Sequence, residues 1–286
     1  MILCRTVSEL REALGGIPRE ERGFVPTMGA LHRGHLSLVE AALARGDQAV
    51  VSIFVNPLQF GPNEDLDRYP RTEKEDLALL REAGVALVFL PSVEEMFPQG
   101  ARSFVEVEGL SEELEGALRP GHFRGVATVC ARLFHLFEPA RGYFGWKDMQ
   151  QVCLLKKMVS DLAFPLEIVP CPVVREEDGL ALSSRNRFLD AEQRVAAVSL
   201  SQGLRRACFA FAQGERRRAV LETLVRDALS PSLRCQYVAV RRSEDFSDPG
   251  ERVDGGRILA AALLGGVHLI DNMPLEEAPG AGIDAS

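Results

Sequence analysis

The chain has 286 residues, enough for one large or two modest domains. Hydrophobic residues make up 46% of it and charged residues 26%, which excludes collagen-like, mucin-like and wholly disordered chains. The formal net charge of −8 argues against binding to nucleic acid, although a few well-placed cations can still bind a small phosphate ligand.

The six cysteines are at least 18 residues apart, a spacing that leaves no metal knuckle or redox pair. Several of them lie in apolar stretches, so we expect reduced thiols in a core. No segment reaches the ~20 apolar residues that a membrane helix needs, and the amino terminus lacks a basic start followed by a long apolar stretch. A cytoplasmic protein with no membrane partner is therefore predicted.

Apolar runs alternate with helical patterns in the first part of the chain. Strands are predicted over residues 23–26, 48–55, 85–91, 140–145 and 166–171. Helices are predicted from about Gly34 onwards and over residues 73–83, 126–137 and 148–162, where apolar residues recur every three or four positions. This alternation predicts an α/β fold with a doubly wound parallel sheet over residues 1–171.

The pattern changes near Pro172. A hairpin is predicted around residues 176–179, helices over 190–212 and 215–229, and a second hairpin at Gly265-Gly266, where two glycines separate apolar runs. These elements indicate a smaller α+β domain over residues 172–286.

The segment PTMGALHRGHLSLVEAAL, residues 26–43, runs from a strand through a glycine-rich turn into an amphipathic helix. Gly29 and Gly34 let backbone amides approach a ligand, and a helix N-terminus attracts phosphate. His32 and His35 stand at that entrance, where either can donate to phosphate oxygens. Two alternatives stay open: these residues only turn the chain and cap the helix, or the histidines are zinc ligands three residues apart.

Three further segments place polar side chains just after apolar runs, where an amide, a cation or a hydroxyl can meet a polar substrate or a phosphate. These side chains are Gln59 in the first segment; Lys147, Asp148 and Gln151 in the second; and Ser183, Ser184, Arg185 and Asn186 in the third. Taken alone, the first segment is better explained by a polar loop and the third by a helix cap at Ser184 or Asn186, while Lys147 is explained equally well by a solvated lysine.

Six motifs follow one another along the chain: PTMGALHRGH, SIFVNPLQFG, DLDRYPRT, RPGHFRGVATV, YFGWKDMQQ and DGLALSSRNRFL. Taken together in this order, they resemble the pantothenate synthetase family of pantoate–β-alanine ligases. The resemblance covers about residues 24–190, and LLGGVHLIDN is similar to the family's closing hairpin. The HxGH element alone indicates only the wider nucleotidyltransferase superfamily, so the specificity comes from the agreement of six separated motifs.

The resemblance implies a Rossmann-like N-terminal domain and a smaller C-terminal lid domain. It implies ATP-dependent condensation of (R)-pantoate with β-alanine to pantothenate, AMP and pyrophosphate through a pantoyl adenylate, a step in pantothenate and coenzyme A biosynthesis. It also implies Mg²⁺ as a cofactor and a homodimer. No nucleic-acid partner is expected.

The resemblance carries site residues over one by one. The implied ATP-binding residues are Met28, Gly29, Ala30, Leu31, His32, Arg33, Gly34, His35, Gly145, Trp146, Lys147, Asp148, Val174, Leu182, Ser183, Ser184 and Arg185. The implied catalytic residues are His32, His35, Lys147, Ser183, Ser184 and Arg185. Gln59 and Gln151 would hold pantoate, and Gln59 would also lie near β-alanine.

The sequence leaves three questions open. The resemblance implies His35 as the catalytic acid, whereas its position near the first helical turn favours a neutral ring that donates a hydrogen bond. The carboxylates that hold Mg²⁺ are unknown, with Glu75 and Asp76 as candidates. Trp146, the only tryptophan, stands where the family commonly has Glu or Gln.

Two other functions remain as alternatives. A different nucleotidyltransferase, such as a cytidylyl- or adenylyltransferase that makes a dinucleotide cofactor, would share HxGH but would not explain the presence of Gln59 and Gln151. A non-catalytic regulator would bind ATP without turnover.

Overall fold

Six parallel strands form the larger sheet of the structure, a computed structural model that describes residues 1–62, 64 and 66–275. The strands lie in the order β1-β4-β3-β2-β5-β6. Their bounds are β1 Ile2–Cys4, β2 Arg22–Thr27, β3 Gln48–Ile53, β4 Leu87–Phe89, β5 Arg141–Gly145 and β6 Glu167–Cys171. The predicted doubly wound parallel sheet is confirmed, and its five predicted strands correspond to β2–β6.

Helices connect these strands, as the alternation of patterns predicts. Their bounds are α1 Val7–Leu14, α2 Arg33–Ala44, α3 Glu73–Glu82, α4 Val93–Met96, α5 Glu115–Leu118, α6 His122–Phe137 and α7 Met149–Asp161. Helix α1, the short helices α4 and α5, and strand β1 were not predicted from the sequence. The last three have only three or four residues each, too few for a hydrophobic period to show.

Helices cover both faces of the sheet, and the side chains of β2, which point alternately to the two faces, contact them on each side. Phe24 points to one face, where its ring centroid lies 4.4 Å from that of Phe137 and 6.3 Å from that of Phe134, both on α6. Val25 points to the other face and belongs to a buried cluster with Leu38 and other residues of α2 and α3. Apolar residues on both faces explain why the strands read as continuous apolar runs.

The strand order reverses between β2 and β5, which pair directly through Gly23 with Arg141 and Phe24 with Gly142. In doubly wound sheets, ligands bind at the carboxyl ends of the strands at such a switch point. Residues 28–35 follow the carboxyl end of β2, and Gly145 ends β5. Two of the motif segments therefore begin at the position where a ligand is expected.

A second, antiparallel sheet has the order β7-β8-β9, with β7 Arg234–Arg241, β8 Arg257–Leu264 and β9 Val267–Pro274. Gly265 and Gly266, with φ of +56° and +83°, make the predicted two-residue turn between β8 and β9. Helices α8 Ala191–Ala212 and α9 Arg218–Arg226 contribute to a buried apolar cluster with the sheet. The predicted smaller α+β region is confirmed, although β7 was not predicted.

The described chain divides into two units. The N-terminal unit comprises Met1–Gly145 and Gln150–Pro172; the C-terminal unit comprises Trp146–Met149 and Val173–Ser286, of which residues 276–286 lie outside the described residues. Residues 146–149 thus group with the C-terminal unit, whereas the sequence placed them in the domain over residues 1–171.

All six cysteines are free, and all except Cys235 are buried. No helix within the described ranges is long and apolar enough to cross a membrane.

Candidate active site

The glycine-rich turn ends at a helix that both motif histidines cap. His32 is the N-cap of α2, and its Nδ1 accepts a hydrogen bond from the Gly34 backbone N–H at 3.1 Å. His35 Nδ1 accepts from the His32 backbone N–H at 3.3 Å, and the two ring centroids are 4.1 Å apart. Because each Nδ1 is an acceptor here, the neutral rings carry their proton on Nε2. Protonating His35 at Nδ1 would remove its hydrogen bond to His32.

Asp76 organises the turn that precedes these histidines. It is 2% exposed; its Oδ2 accepts from the Ala30 N–H at 2.9 Å and its Oδ1 from the Leu31 N–H at 2.8 Å. The Thr72 hydroxyl lies 3.2 Å from both carboxylate oxygens. Gly29 and Ala30, with φ of +82° and +49°, form a left-handed bend that this carboxylate can stabilise through the two amides.

These contacts give Asp76 a structural role besides the magnesium ligation considered from the sequence. The Asp76 oxygens are already engaged by two amides and a hydroxyl, and Glu75 is exposed on α3. Across residues 1–62, 64 and 66–275, no group of three or more histidine, cysteine or acidic side chains is placed to hold a metal ion. The described residues therefore do not fit a site in which the protein itself encloses Mg²⁺, and the zinc alternative for His32 and His35 has no supporting ligands.

We expect Asp76→Asn to destabilise the protein by about 2 kcal/mol and to raise the KM for ATP. An amide would leave one of the two loop N–H groups facing another donor in a buried site. Thr72→Val, which keeps the carboxylate, is the matched control and should have a smaller effect on both quantities. Urea unfolding and steady-state kinetics measure them. A large shift in the Mg²⁺ concentration for half-maximal activity would instead make Asp76 a metal ligand.

Gln59 lies in a turn whose side chains contact both Met28 and helix α6. Its Oε1 accepts from Asn56 Nδ2 at 3.1 Å, and its Nε2 lies 2.9 Å from Met28 Sδ. Asn56 is 1% exposed and also donates to the Gly125 carbonyl of α6 at 3.1 Å. A Cβ atom at Gly125 would lie 2.1 Å from the Leu58 carbonyl oxygen, so only glycine allows α6 this close. The structure thus brings Gln59 together with Met28, both predicted site residues.

Arg119 and His122 hold the backbone of the same turn. His122 Nδ1–H donates to the Gln59 carbonyl at 2.8 Å, and its Nε2 lies 3.0 Å from Arg119 Nη1. Arg119 makes a two-point contact with Glu64, at 2.6 and 2.7 Å. The motif RPGHFRGVATV, which has no role assigned from the sequence, supports Gln59 in the structure through these contacts.

Burial, and next the charge of Arg119, lower the pKa of His122 to about 4 from an ordinary 6.5. As the pH falls, the unfolded chain therefore binds a proton at His122 before the folded chain does. The stability that neutral His122 contributes is complete above about pH 6.5 and is lost as the pH falls towards 4. We expect the unfolding free energy to fall over this window. His122→Asn keeps a donor towards Gln59 and cannot titrate, so its pH dependence between 6.5 and 5 should be flatter. Equal slopes in both proteins would contradict this.

The two neighbouring glutamines of α7 differ in their surroundings. Gln150 is 3% exposed; its Nε2 donates to the Leu110 and Glu113 carbonyls, each at 2.8 Å, and its Oε1 accepts from the Glu115 N–H at 3.2 Å. This side chain is fully used in holding residues 110–115. Gln151 is half-buried in the first turn of the helix. The geometry leaves Gln151, not Gln150, as the candidate for a substrate.

Lys147 and its neighbours belong to the C-terminal unit. Lys147 Nζ lies 3.7 Å from Asp148 Oδ1, and the lysine side chain is 22% exposed. Residues 146–148 form one short 3₁₀ turn directly after Gly145. The carbonyls of Trp146 and Lys147 both accept hydrogen bonds from Asn272 of β9.

A small hairpin brings the other predicted ATP residues of this unit together. Arg175 pairs with Ala181 in an antiparallel bridge, and the Leu182 N–H donates to the Val174 carbonyl at 3.0 Å. Val174 therefore lies beside the segment 182–185, as its predicted role requires.

The serine-rich turn does not show the helix cap at Ser184 or Asn186 that was the alternative explanation of this segment. Ser183 caps a 3₁₀ turn over Ser184–Phe188 by accepting from the Arg185 N–H at 3.3 Å. Asp190 caps the long helix α8. Asn186 instead donates to the Ala181 carbonyl at 3.0 Å and to Glu176 Oε1 at 2.8 Å, contacts that tie the turn to the hairpin.

A glycine-rich loop and a helix N-terminus at the switch point of a parallel sheet place this chain among the doubly wound α/β proteins, in which this position is the usual one for a phosphate-containing ligand. The family model described as Pantoate-beta-alanine ligase matches residues 2–274. The chain belongs to the pantoate-beta-alanine ligase family.

Individual relatives agree with this assignment. The pantothenate synthetase of Acidobacterium capsulatum is 55% identical, over 97% of this chain and 98% of the relative. A crystal structure of pantothenate synthetase from Thermus thermophilus has a TM-score of 0.92 at 49% identity, covering 97% of this chain and 100% of that one. A Francisella tularensis pantoate-beta-alanine ligase, described as complexed with beta-gamma ATP and beta-alanine, has a TM-score of 0.81 at 34% identity, covering 98% and 99%.

The predicted family, fold class and enzymatic nature are thereby confirmed. The chain is a ligase of pantothenate biosynthesis, and its family membership supports formation of pantothenate from pantoate and β-alanine. The roles of individual site residues stay predictions.

Proposed function

We propose that this protein condenses (R)-pantoate with β-alanine at the expense of ATP, through a pantoyl adenylate, releasing AMP and pyrophosphate. The observation that carries the proposal is the turn over residues 28–35, capped by His32 and His35 and held by Asp76, at the carboxyl end of β2 in a chain of this family. Such a turn offers backbone amides and two imidazole donors to phosphate oxygens. The ATP complex of the Francisella tularensis relative supports the use of ATP.

The reaction proceeds in two balanced steps. A pantoate carboxylate oxygen attacks the α-phosphorus of ATP, and pyrophosphate leaves with the electron pair of the broken P–O bond. The neutral amine of β-alanine then attacks the acyl carbon; AMP leaves and the nitrogen loses a proton. Neither step needs a nucleophile from the enzyme, so the protein's task is positioning and charge compensation.

The proposed roles divide among the predicted residues. His32 and His35 donate to phosphate oxygens through Nε2–H, while Lys147 and Arg185 compensate charge and Ser183 and Ser184 supply hydroxyl donors. The remaining residues of 28–35 and 145–148, together with Val174 and Leu182, contact ATP. Mg²⁺ is proposed to enter with the triphosphate as its main ligand, because the described side chains form no cage for it.

We propose that Gln59 and Gln151 hold pantoate. Gln59→Ala or Gln151→Ala should raise the KM for pantoate at least tenfold and leave the KM for ATP within about threefold, because a lost amide leaves substrate polar groups unpaired. Gln150→Ala is the matched control: it should destabilise the fold without this selectivity. Equal increases in both KM values for the Gln59 and Gln151 variants would remove the pantoate assignment.

We also propose a cytoplasmic homodimer, with the C-terminal unit acting as a lid that shields the adenylate from water. Sedimentation at micromolar concentration measures the oligomeric state. Protection of the C-terminal unit from hydrogen exchange, on adding ATP and pantoate, tests the lid.

Isotope transfer tests the proposed intermediate. With pantoate labelled with ¹⁸O in its carboxylate, the adenylate route moves one labelled oxygen into AMP. Mass spectrometry of AMP after a single turnover should show that atom. Pantothenate keeps the other labelled oxygen in its amide carbonyl by any route. Unlabelled AMP, with the lost oxygen found in pyrophosphate or water instead, would exclude attack of the carboxylate on the α-phosphorus.

A further inference from the structure

Asn272 of β9 is buried against the backbone of the segment that carries Lys147. Asn272 is 1% exposed, and its Nδ2 donates to two consecutive backbone carbonyls, those of Trp146 at 2.8 Å and Lys147 at 3.1 Å. Both donors of this amide are therefore used on a segment about 125 residues away in the sequence. The Nδ2 group joins β9 to the turn over residues 146–148.

The orientation of this amide is set from its other side. Asn272 Oδ1 accepts from Arg257 Nε at 2.6 Å, and the Arg257 guanidinium lies 4.9 Å from the centroid of the Trp146 ring. Asp271 accepts from the Asn272 backbone N–H at 2.7 Å and pairs with Arg175 at 2.7 and 2.9 Å. An acceptor facing Arg257 and two donors facing carbonyls is a pattern that asparagine satisfies and aspartate does not.

Within the turn over residues 146–148, the ion contact of the Lys147 side chain is weak. The turn has three residues in 3₁₀ geometry, and the contact of Lys147 with half-exposed Asp148 is 3.7 Å long. An ion contact of this length between partly exposed groups contributes little to stability. The direction of the lysine side chain therefore depends on how the backbone at residues 146 and 147 is held.

We propose that Asn272 is a positioning residue for Lys147, acting through the two carbonyls and oriented by Arg257. The proposal rests on the proposed function in taking Lys147 as the cation that meets ATP. Trp146 completes the arrangement in this chain, because its ring gives the Arg257 guanidinium an apolar and π-electron surface on which to lie. The residue that departs from the family's usual Glu or Gln thus has an assigned partner.

The test compares Asn272→Ala, Asn272→Asp and the control Met273→Ala in the full-length protein. Aspartate has the volume of asparagine but would set a carboxylate against two carbonyl oxygens. Met273 is the next residue of β9, points to the other face of the strand and packs against the apolar cluster of the C-terminal unit. Its truncation therefore weakens the same strand without touching residues 146 and 147.

The first readout is the single-turnover rate of pyrophosphate release at saturating ATP and pantoate. We expect both Asn272 variants to be about 10²-fold slower, because displacement of a reacting group by about 1 Å costs that much. Met273→Ala should stay within about threefold of the parent at temperatures where all the proteins are folded. In a Lys147→Ala background, Asn272→Ala should cause no further loss, since both changes remove the same contribution.

The second readout is independent of activity. Trp146 is the only tryptophan of the chain, so its fluorescence reports directly on the segment next to Lys147. Acrylamide quenching should increase in both Asn272 variants and remain unchanged in Met273→Ala.

Three results would overturn the proposal. They are parent-like rates in Asn272→Asp, a full additional loss in the Lys147→Ala background, or unchanged quenching in folded Asn272 variants. If the parent itself released no pyrophosphate, the proposed function would fail, and the quenching comparison would still decide whether Asn272 holds this segment.

Discussion

Lys147→Ala is expected to slow adenylate formation by about 10²–10³-fold while leaving the fold intact. A cation aimed at a phosphate in a site shielded from water stabilises charge that develops in the transition state, and loss of one such aimed group has this magnitude. The lysine side chain is 22% exposed and makes one long contact with Asp148, so its removal should cost little stability. Single-turnover pyrophosphate release measures the rate.

Lys157→Ala is the matched control for this prediction. Lys157 is a lysine of α7 whose exposed side chain pairs with Asp161 one helical turn away. Its removal takes away the same charge from the protein and should leave the rate within about twofold, as expected for an exposed ion pair. If Lys147→Ala were as active as Lys157→Ala, Lys147 would have no part in adenylation.

Three variants of His35 are expected to separate a neutral hydrogen-bond donor from a catalytic acid. Nδ1 of His35 accepts from the His32 N–H, so a neutral ring carries its proton on Nε2. Glutamine can place a donor near the Nε2 position, asparagine can replace only the Nδ1 acceptor, and alanine replaces neither. We expect His35→Gln to retain much more adenylation activity than His35→Asn or His35→Ala, which should lose about 10²–10³-fold.

The pH dependence gives these variants a second readout. If His35 acts as a neutral donor, the glutamine variant keeps the pH profile of the parent, because no proton transfer from residue 35 is involved. If His35 is an obligatory acid, all three variants are equally inactive while still folded and able to bind ATP. That result would restore the proton-donor role implied by the resemblance.

The elements that carry the site could be predicted because their signals are local. The apolar runs of β2, β3 and β5, the turn at Gly29 and the two glycines at 265–266 each appear within a few consecutive residues. The structure follows them closely. Strand β2, for example, spans Arg22–Thr27 where a strand over residues 23–26 is predicted.

The supporting residues could not be predicted because their partners are distant in sequence. Asp76 bonds amides 45 and 46 residues away, Gln150 bonds one 35 residues away, and Asn272 bonds carbonyls 125 and 126 residues away. The sequence around a carboxylate does not distinguish one that binds loop amides from one that binds a metal ion. The sequence therefore offers Asp76 as a magnesium ligand, and only the tertiary contacts assign it to the loop.

Exchange of labelled pyrophosphate into ATP, measured without β-alanine, tests the central claim that pantoate is activated as an adenylate before the amine arrives. A reversible first step that uses only ATP and pantoate predicts that the label enters ATP when pantoate is present and does not enter when it is omitted. Exchange that requires β-alanine, or that proceeds without pantoate, would contradict the account.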